Sequence, residues 1–232
     1  MDNLFKITFC FFSLLLITTS PNAFSQEVEE VVVTATKKEE STQDIAVSIT
    51  AVTADQLAAD QIYDLEDLAE IIPGFGAAKG IGSGSGFVMR GIGSYGVGAA
   101  VVSSIVTSMN GHSVNPSIMN DMGFMDLERI EVLNGPQGTL FGRNSVAGVI
   151  NLITARPTDE FEGYMDYEAG TFEKETVKGA INMPISDTVR ARLAFMSNVR
   201  EGMVDNPFTG NKMDDRNDQA VRLSIDWDIN DK

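Results

Sequence analysis

The sequence predicts an α+β domain, a small mixed sheet with short helices, followed by the first four antiparallel strands of an incomplete transmembrane β-barrel. Three observations predict it. Residues 126–157 read as a strand, a glycine-punctuated turn and a second strand; Thr53 and Asp64 each open a short helical pattern; and four segments of period-2 alternation follow Tyr164.

The first observation is the most specific. In DLERIEVLNGPQGTLFGRNSVAGVINLITARP the stretch from Arg129 to Leu133 alternates, Gly135, Pro136, Gly138 and Gly142 interrupt the chain, and Val146 to Thr154 is apolar and rich in strand formers. This describes a tight strand-turn-strand core. Upstream, residues 45–52 alternate, and Thr53 with Gln56 forms a capping-box pair ahead of Leu57, so a helix is expected to start at Thr53. A second is expected after Asp64, where Leu65, Leu68, Ala69 and Ile72 keep helical spacing until Pro73-Gly74 stops it. Leu65 and Leu68 belong in the core on this reading.

Residues 74–98 are glycine-rich around a strand-like Phe87-Val88-Met89-Arg90. Paired glycines at 74/76 and 80/82 invite a phosphate-loop reading, which fails because the spacing is not GxGxxG and no Gly-Lys-Ser/Thr follows. Arg90 is expected to pair with a carboxylate. Residues 101–109 form another expected strand, with Ile105, Thr107 and Met109 on one face and a turn at Asn110-Gly111.

Composition excludes several functions. Of 232 residues, 33 are acidic and 17 are Lys or Arg, a net charge of −16 that repels nucleic acid. Lys6, the apolar run at 7–18 and Ala23-Phe24-Ser25 give residues 1–25 the form of a signal peptide. Its core is shorter than the roughly 20 residues of a spanning helix. The one cysteine, Cys10, lies within it, so the mature chain has no thiol for a disulfide or metal site. With one histidine, His112, read as a turn or surface residue, there is little to build a metal centre or a catalytic triad from. No catalytic residue, metal ligand or cofactor is assigned, and the chain is not read as an enzyme.

After Tyr164 the texture changes. Met165, Tyr167 and Ala169 alternate with Tyr164, Asp166 and Glu168; Val177 to Met183 continue the pattern; Val189, Ala191, Leu193 and Phe195 oppose Arg190, Arg192, Asn198 and Arg200; Val221, Leu223, Ile225 and Trp227 oppose Arg222, Ser224 and Asp226. Short connections at 184–188 and 228–231 contrast with a long polar one at 201–217. This matches outer-membrane strands, one face to lipid and one to a polar lumen, with Trp227 as an interfacial aromatic. An antiparallel sheet of a soluble protein alternates identically, so the alternation alone does not choose. Four strands would leave open edges in lipid, which points to the N-terminal part of a longer protein.

The wording ERIEVL, GPQGTLFGRN and AGVINLIT closely resembles the plug domain of TonB-dependent outer-membrane receptors, with Asn134 and Asn110 departing from the Arg and Asp common there. The resemblance implies a plug seated in a barrel of about 22 strands. It divides the chain into a signal peptide (1–25), a TonB-box segment (26–40), a plug (41–157) and the start of the barrel (158–232). Residues alone leave EEVVVTAT as either a first plug strand or a free extended segment; the resemblance makes Glu29, Glu30, Val31, Val32, Val33, Thr34, Ala35 and Thr36 the TonB box, expected to be extended and mobile near the terminus. TonB, energised by ExbB-ExbD, would pair with it by strand addition. The implied function is active import of a scarce solute across the outer membrane of a Gram-negative bacterium, with plug and TonB box reaching the periplasm. An iron-siderophore complex leads on family frequency, and the contacting loops are placed at 79–86 and 92–101. The alternative is a free-standing periplasmic plug-like binding or signalling module.

Overall fold

A computed structural model of the chain describes residues 32–34, 40–41, 47–79, 85–94, 103–114 and 123–229. The expected signal peptide lies outside the described residues, as do Glu29, Glu30, Val31, Ala35 and Thr36 and most of the two glycine-rich loops.

The apolar runs around the glycine turn form the centre of a five-stranded sheet. Its strands are β3 (Ile49–Thr53), β7 (Ile105–Met109), β8 (His112–Val114), β9 (Leu127–Asn134) and β10 (Gly148–Thr154), in the order β3-β9-β10-β7-β8. Only β10 and β7 run parallel, so the sheet is mixed. Near the N-terminus β1 (Val32–Val33) pairs antiparallel with β2 (Glu40–Ser41). A three-stranded sheet, β4 (Phe75–Lys79), β5 (Ser85–Met89) and β6 (Ile92–Ser94), carries the stacked rings of Phe75 and Phe87, 5.6 Å apart. The core between these layers contains Val52, Leu57, Leu65, Leu68, Met89, Ile130, Val132, Ile150 and Leu152. Full burial of each large aliphatic side chain contributes roughly 1.5–3 kcal/mol.

Helix α1 (Ala54–Ala59) starts where the sequence placed it. The Thr53 hydroxyl accepts the Gln56 amide, and the Gln56 side chain returns to the Thr53 amide. Helix α2 (Leu68–Ile71) is shorter than expected, because the Asp64 carboxylate takes the amides of Glu66 and Asp67 and holds the preceding residues in turns. Helix α3 (Gly138–Phe141) is a single turn inside the glycine-rich connection. Arg90 departs from expectation: its guanidinium donates to the Ser48 hydroxyl at 3.0 Å, and no carboxylate pairs with it among the described residues. It occupies a turn at φ +52°. The expected strand at 101–109 is formed from Ile105, with 101–102 outside the described residues. Asn110 and Gly111, both at positive φ, make the tight β7-β8 turn, and His112 is exposed beyond it. Asn110 suits this position: its side-chain oxygen accepts the Thr154 amide at 3.0 Å and its amide donates to the Thr154 hydroxyl at 3.0 Å.

The four alternating segments form one antiparallel sheet of β11 (Glu162–Gly170), β12 (Lys174–Ser186), β13 (Val189–Arg200) and β16 (Arg216–Trp227), in that order. The β12-β13 connection is tighter than the expected 184–188, and the long loop contains a small hairpin of β14 (Val204–Asp205) and β15 (Lys212–Met213). Register aligns the faces. Met165, Gly179, Phe195 and Val221 form one row, and Gly163, Ile181, Leu193 and Leu223 the next on the same side. Val221, Leu223, Ile225 and Trp227 are all more than half exposed, as a lipid-facing surface requires. The opposite rows, such as Tyr164, Ala180, Ala194 and Arg222, face the mixed-sheet domain, and their alanines are buried beneath it. Among the described residues no helix is long and apolar enough to cross a membrane.

Candidate functional site

The site begins with alternation in β9. Ile130 and Val132 point to the main core, so Arg129, Glu131 and Leu133 share the other face. Leu133 packs there with Val106 and Val149. The register then sets Glu131 beside Asn151 of β10, and Asn151 beside Ser108 of β7. A polar row therefore crosses three strands of a sheet whose neighbouring residues are apolar.

Each member of the row is hydrogen-bonded. The Ser108 hydroxyl donates to Asn151 Oδ1 at 2.7 Å, the Gly111 amide donates to the same oxygen at 3.1 Å, and Asn151 Nδ2 donates to Glu131 Oε2 at 3.0 Å. Glu131 is fully buried. Its Oε1 accepts Arg129 Nε at 2.9 Å, and Arg129 also pairs with Glu128. A carboxylate without water is tolerated here because a guanidinium and several donors surround it.

The remaining donors come from the N-terminal segment. The Thr34 backbone amide donates to Glu131 Oε1 at 2.7 Å and its hydroxyl to the same atom at 3.3 Å, while Arg129 Nη2 donates to the Thr34 hydroxyl at 3.2 Å. Val33 beside it is fully buried. The expectation of a free segment is thereby corrected for Val33 and Thr34. An apolar side chain and a charge-assisted amide contact offset the entropy of holding a short strand.

Of the eight TonB-box candidates, Val32, Val33 and Thr34 are described, and Thr34 meets the polar row. Arg129, Glu131, Asn151 and Ser108 were not singled out from sequence. The signal was present: charged residues inside a strand with apolar residues on both sides demand internal partners.

A mixed-sheet domain lying on the polar face of antiparallel strands whose other face is apolar defines the plugged class of outer-membrane β-barrel. Known proteins agree. The TonB-dependent Receptor Plug Domain family matches residues 41–149. The pesticin receptor of Yersinia pestis is 25% identical over 210 residues, covering 84% of this chain and 29% of the relative. The vitamin B12 transporter BtuB of Vibrio vulnificus is 28% identical over 148 residues, covering 60% of this chain and 23% of that protein. The crystal structure of the ferric yersiniabactin uptake receptor FyuA from Yersinia pestis superposes with a TM-score of 0.67 at 25% identity, covering 76% of this chain and 28% of that one. The chain thus spans less than a third of the length of these relatives. Residues 41–149 thus carry the plug domain of TonB-dependent receptors, and the chain is similar over most of its length to the N-terminal part of such receptors.

Proposed function

We infer that this chain is the N-terminal part of a receptor that imports a scarce solute into the periplasm, energised through TonB. Residues 1–25 are the export signal, 26–40 carry the TonB box, 41–157 form the plug and 158–232 begin the barrel. The observation that carries this reading is the attachment of Thr34 to the Glu131 row, beside the buried Val33. A short strand held by a few contacts can be exchanged for a partner's sheet edge, and a partner that binds only the released segment shifts the equilibrium toward release. TonB, working with ExbB-ExbD, is that partner. Glu29 to Thr36 supply the backbone donors and acceptors of the added strand.

The solute is an iron-siderophore complex on this reading. The uptake receptor for ferric yersiniabactin supports it by likeness, while the vitamin B12 transporter marks the competing solute. The free-standing periplasmic module is disfavoured by the exposed apolar face of β16. The test is uptake of radiolabelled iron from a panel of ferric siderophores, with cobalamin alongside, in cells expressing the complete receptor with and without TonB. TonB-dependent accumulation of one ferric complex is expected. Accumulation of cobalamin alone would replace the solute, and none in either strain would remove the importer reading.

A further inference from the structure

Three barrel strands converge on one plug carboxylate. Asp126 precedes β9 at φ +48°, and its side chain is 2% exposed. Arg192 of β13 grips it with two nitrogens, Nε to Oδ2 at 3.0 Å and Nη2 to Oδ1 at 2.7 Å. Arg222 of β16 donates Nη2 to Oδ2 at 2.8 Å, the same nitrogen to the Asp126 carbonyl at 2.8 Å, and Nη1 to the Met125 carbonyl at 3.0 Å. The Tyr164 hydroxyl of β11 donates to Oδ1 at 3.3 Å. The Asp126 carbonyl also accepts the Ala155 amide at 3.0 Å, so this residue ties the entrance of β9 to the exit of β10.

These contacts face the barrel wall rather than the plug core. Two guanidiniums brought together out of water repel one another unless an anion lies between them, and bidentate pairing fixes angle as well as distance. Arg216 with Asp64, at 3.3 Å, and Lys174 and Lys178 near the Tyr63 ring add contacts around it. The wall is cationic where the plug is acidic.

We propose that Asp126 is a positioning residue, the fixed end of the plug, which holds β9 against the barrel wall while the N-terminal segment is drawn away. Asp126 lies three residues before Arg129 and five before Glu131 on the same stretch of chain. A pull arriving at Thr34 therefore meets its opposing anchor within one strand. Thr34 is a neutral residue held by three hydrogen bonds, whereas Asp126 is itself a charge held by two guanidiniums, one of them bidentate, so Thr34 yields first. The fixed-end role rests on the importer reading above; the clasp itself rests on the geometry.

Cys10 is the one cysteine in these 232 residues, which leaves the plug-facing side of β13 free for a reporter. Ala194→Cys sits in register with Arg222 and replaces a side chain 1% exposed. Its labelling by a polar maleimide is followed in outer membranes that hold the complete receptor. Asp126→Asn keeps a residue that tolerates the left-handed backbone and keeps an acceptor oxygen, but removes the charge. Labelling in resting membranes should rise on the order of a hundredfold, while exchange of the Ile130 and Leu152 amides stays slow. Arg222→Lys, which keeps the charge but loses the fork, should give a smaller rise. Labelling that stays at the parent's rate in both variants, or that rises only together with amide exchange, would overturn the clasp. This arm needs neither TonB nor solute, so it fails independently of the importer reading. With TonB energised, Ala194→Cys in the Asp126 parent should remain at its resting rate; faster labelling there would overturn the fixed end.

Discussion

Glu131 shows how one residue sets what the N-terminal segment can do. It accepts from Thr34, Arg129 and Asn151 at once, so its removal frees the segment and strands a buried guanidinium. Glu131→Ala is predicted to cost the plug about 3 kcal/mol in urea unfolding and to speed exchange of the Thr34 amide. Glu131→Gln should lose less, because an amide oxygen still accepts from Thr34. Gly148 is a second site with no slack. A Cβ there would lie 2.1 Å from Met89 Sδ and 2.4 Å from the Leu133 carbonyl, and while the thioether can swing away the backbone cannot. Gly148→Ala should therefore destabilise by about 2 kcal/mol in the same measurement. Glu131 was legible only as a charge inside an apolar strand that needs a partner, and Gly148 not at all, since which groups lie opposite depends on register.

At the scale of elements, the sequence was readable wherever the cause was local. The Thr53-Gln56 pair opened α1 as expected, and Thr53→Ala should lower plug stability by about 1 kcal/mol by urea titration. The four long alternating segments became β11, β12, β13 and β16 for the same reason, since period 2 with aligned faces leaves one pleated solution. What failed was also local in cause but hidden by ambiguity. Asp64 could cap a helix or close a turn, and it closes the turn, shortening α2. The parallel pairing of β7 with β10 was not legible because no neighbouring residue encodes a long-range partner. Asp67 gives this region a pH dependence. Burial, then the nearby carboxylates of Asp64 and Glu70, raise its pKa, while hydrogen bonds from the Tyr63 and Asp64 backbones oppose the shift. The folded plug thus binds this proton more tightly than the unfolded chain does. Its contribution is full below the ordinary carboxylate value and is lost as pH rises through the raised one. Asp67→Asn, whose side-chain oxygen can still accept the Tyr63 amide, should flatten stability against pH across that window and leave the plug at least as stable at neutral pH.

For the whole molecule, charge arranges the parts. The chain carries a net charge of −16, yet the barrel strands turn Arg192, Arg216 and Arg222 to the side that meets the plug, where Asp126 answers Arg192 and Arg222 and Asp64 answers Arg216. Composition reports only the sum, so the pairing of plug acids with barrel bases waited for tertiary structure. The same holds for the TonB box. Wording marked residues 29–36, but the seating of Thr34 on a buried carboxylate follows from β9 alternation combined with the β9-β10-β7 register. On the proposed reading, seating and release of that segment are what TonB acts on. The most direct measurement is capture of the complete receptor by the periplasmic domain of TonB, comparing the parent with Val32→Pro, in which a backbone donor of the pairing strand is removed. Capture by the parent and its loss in Val32→Pro is the predicted result; equal capture of both would contradict strand addition at this segment.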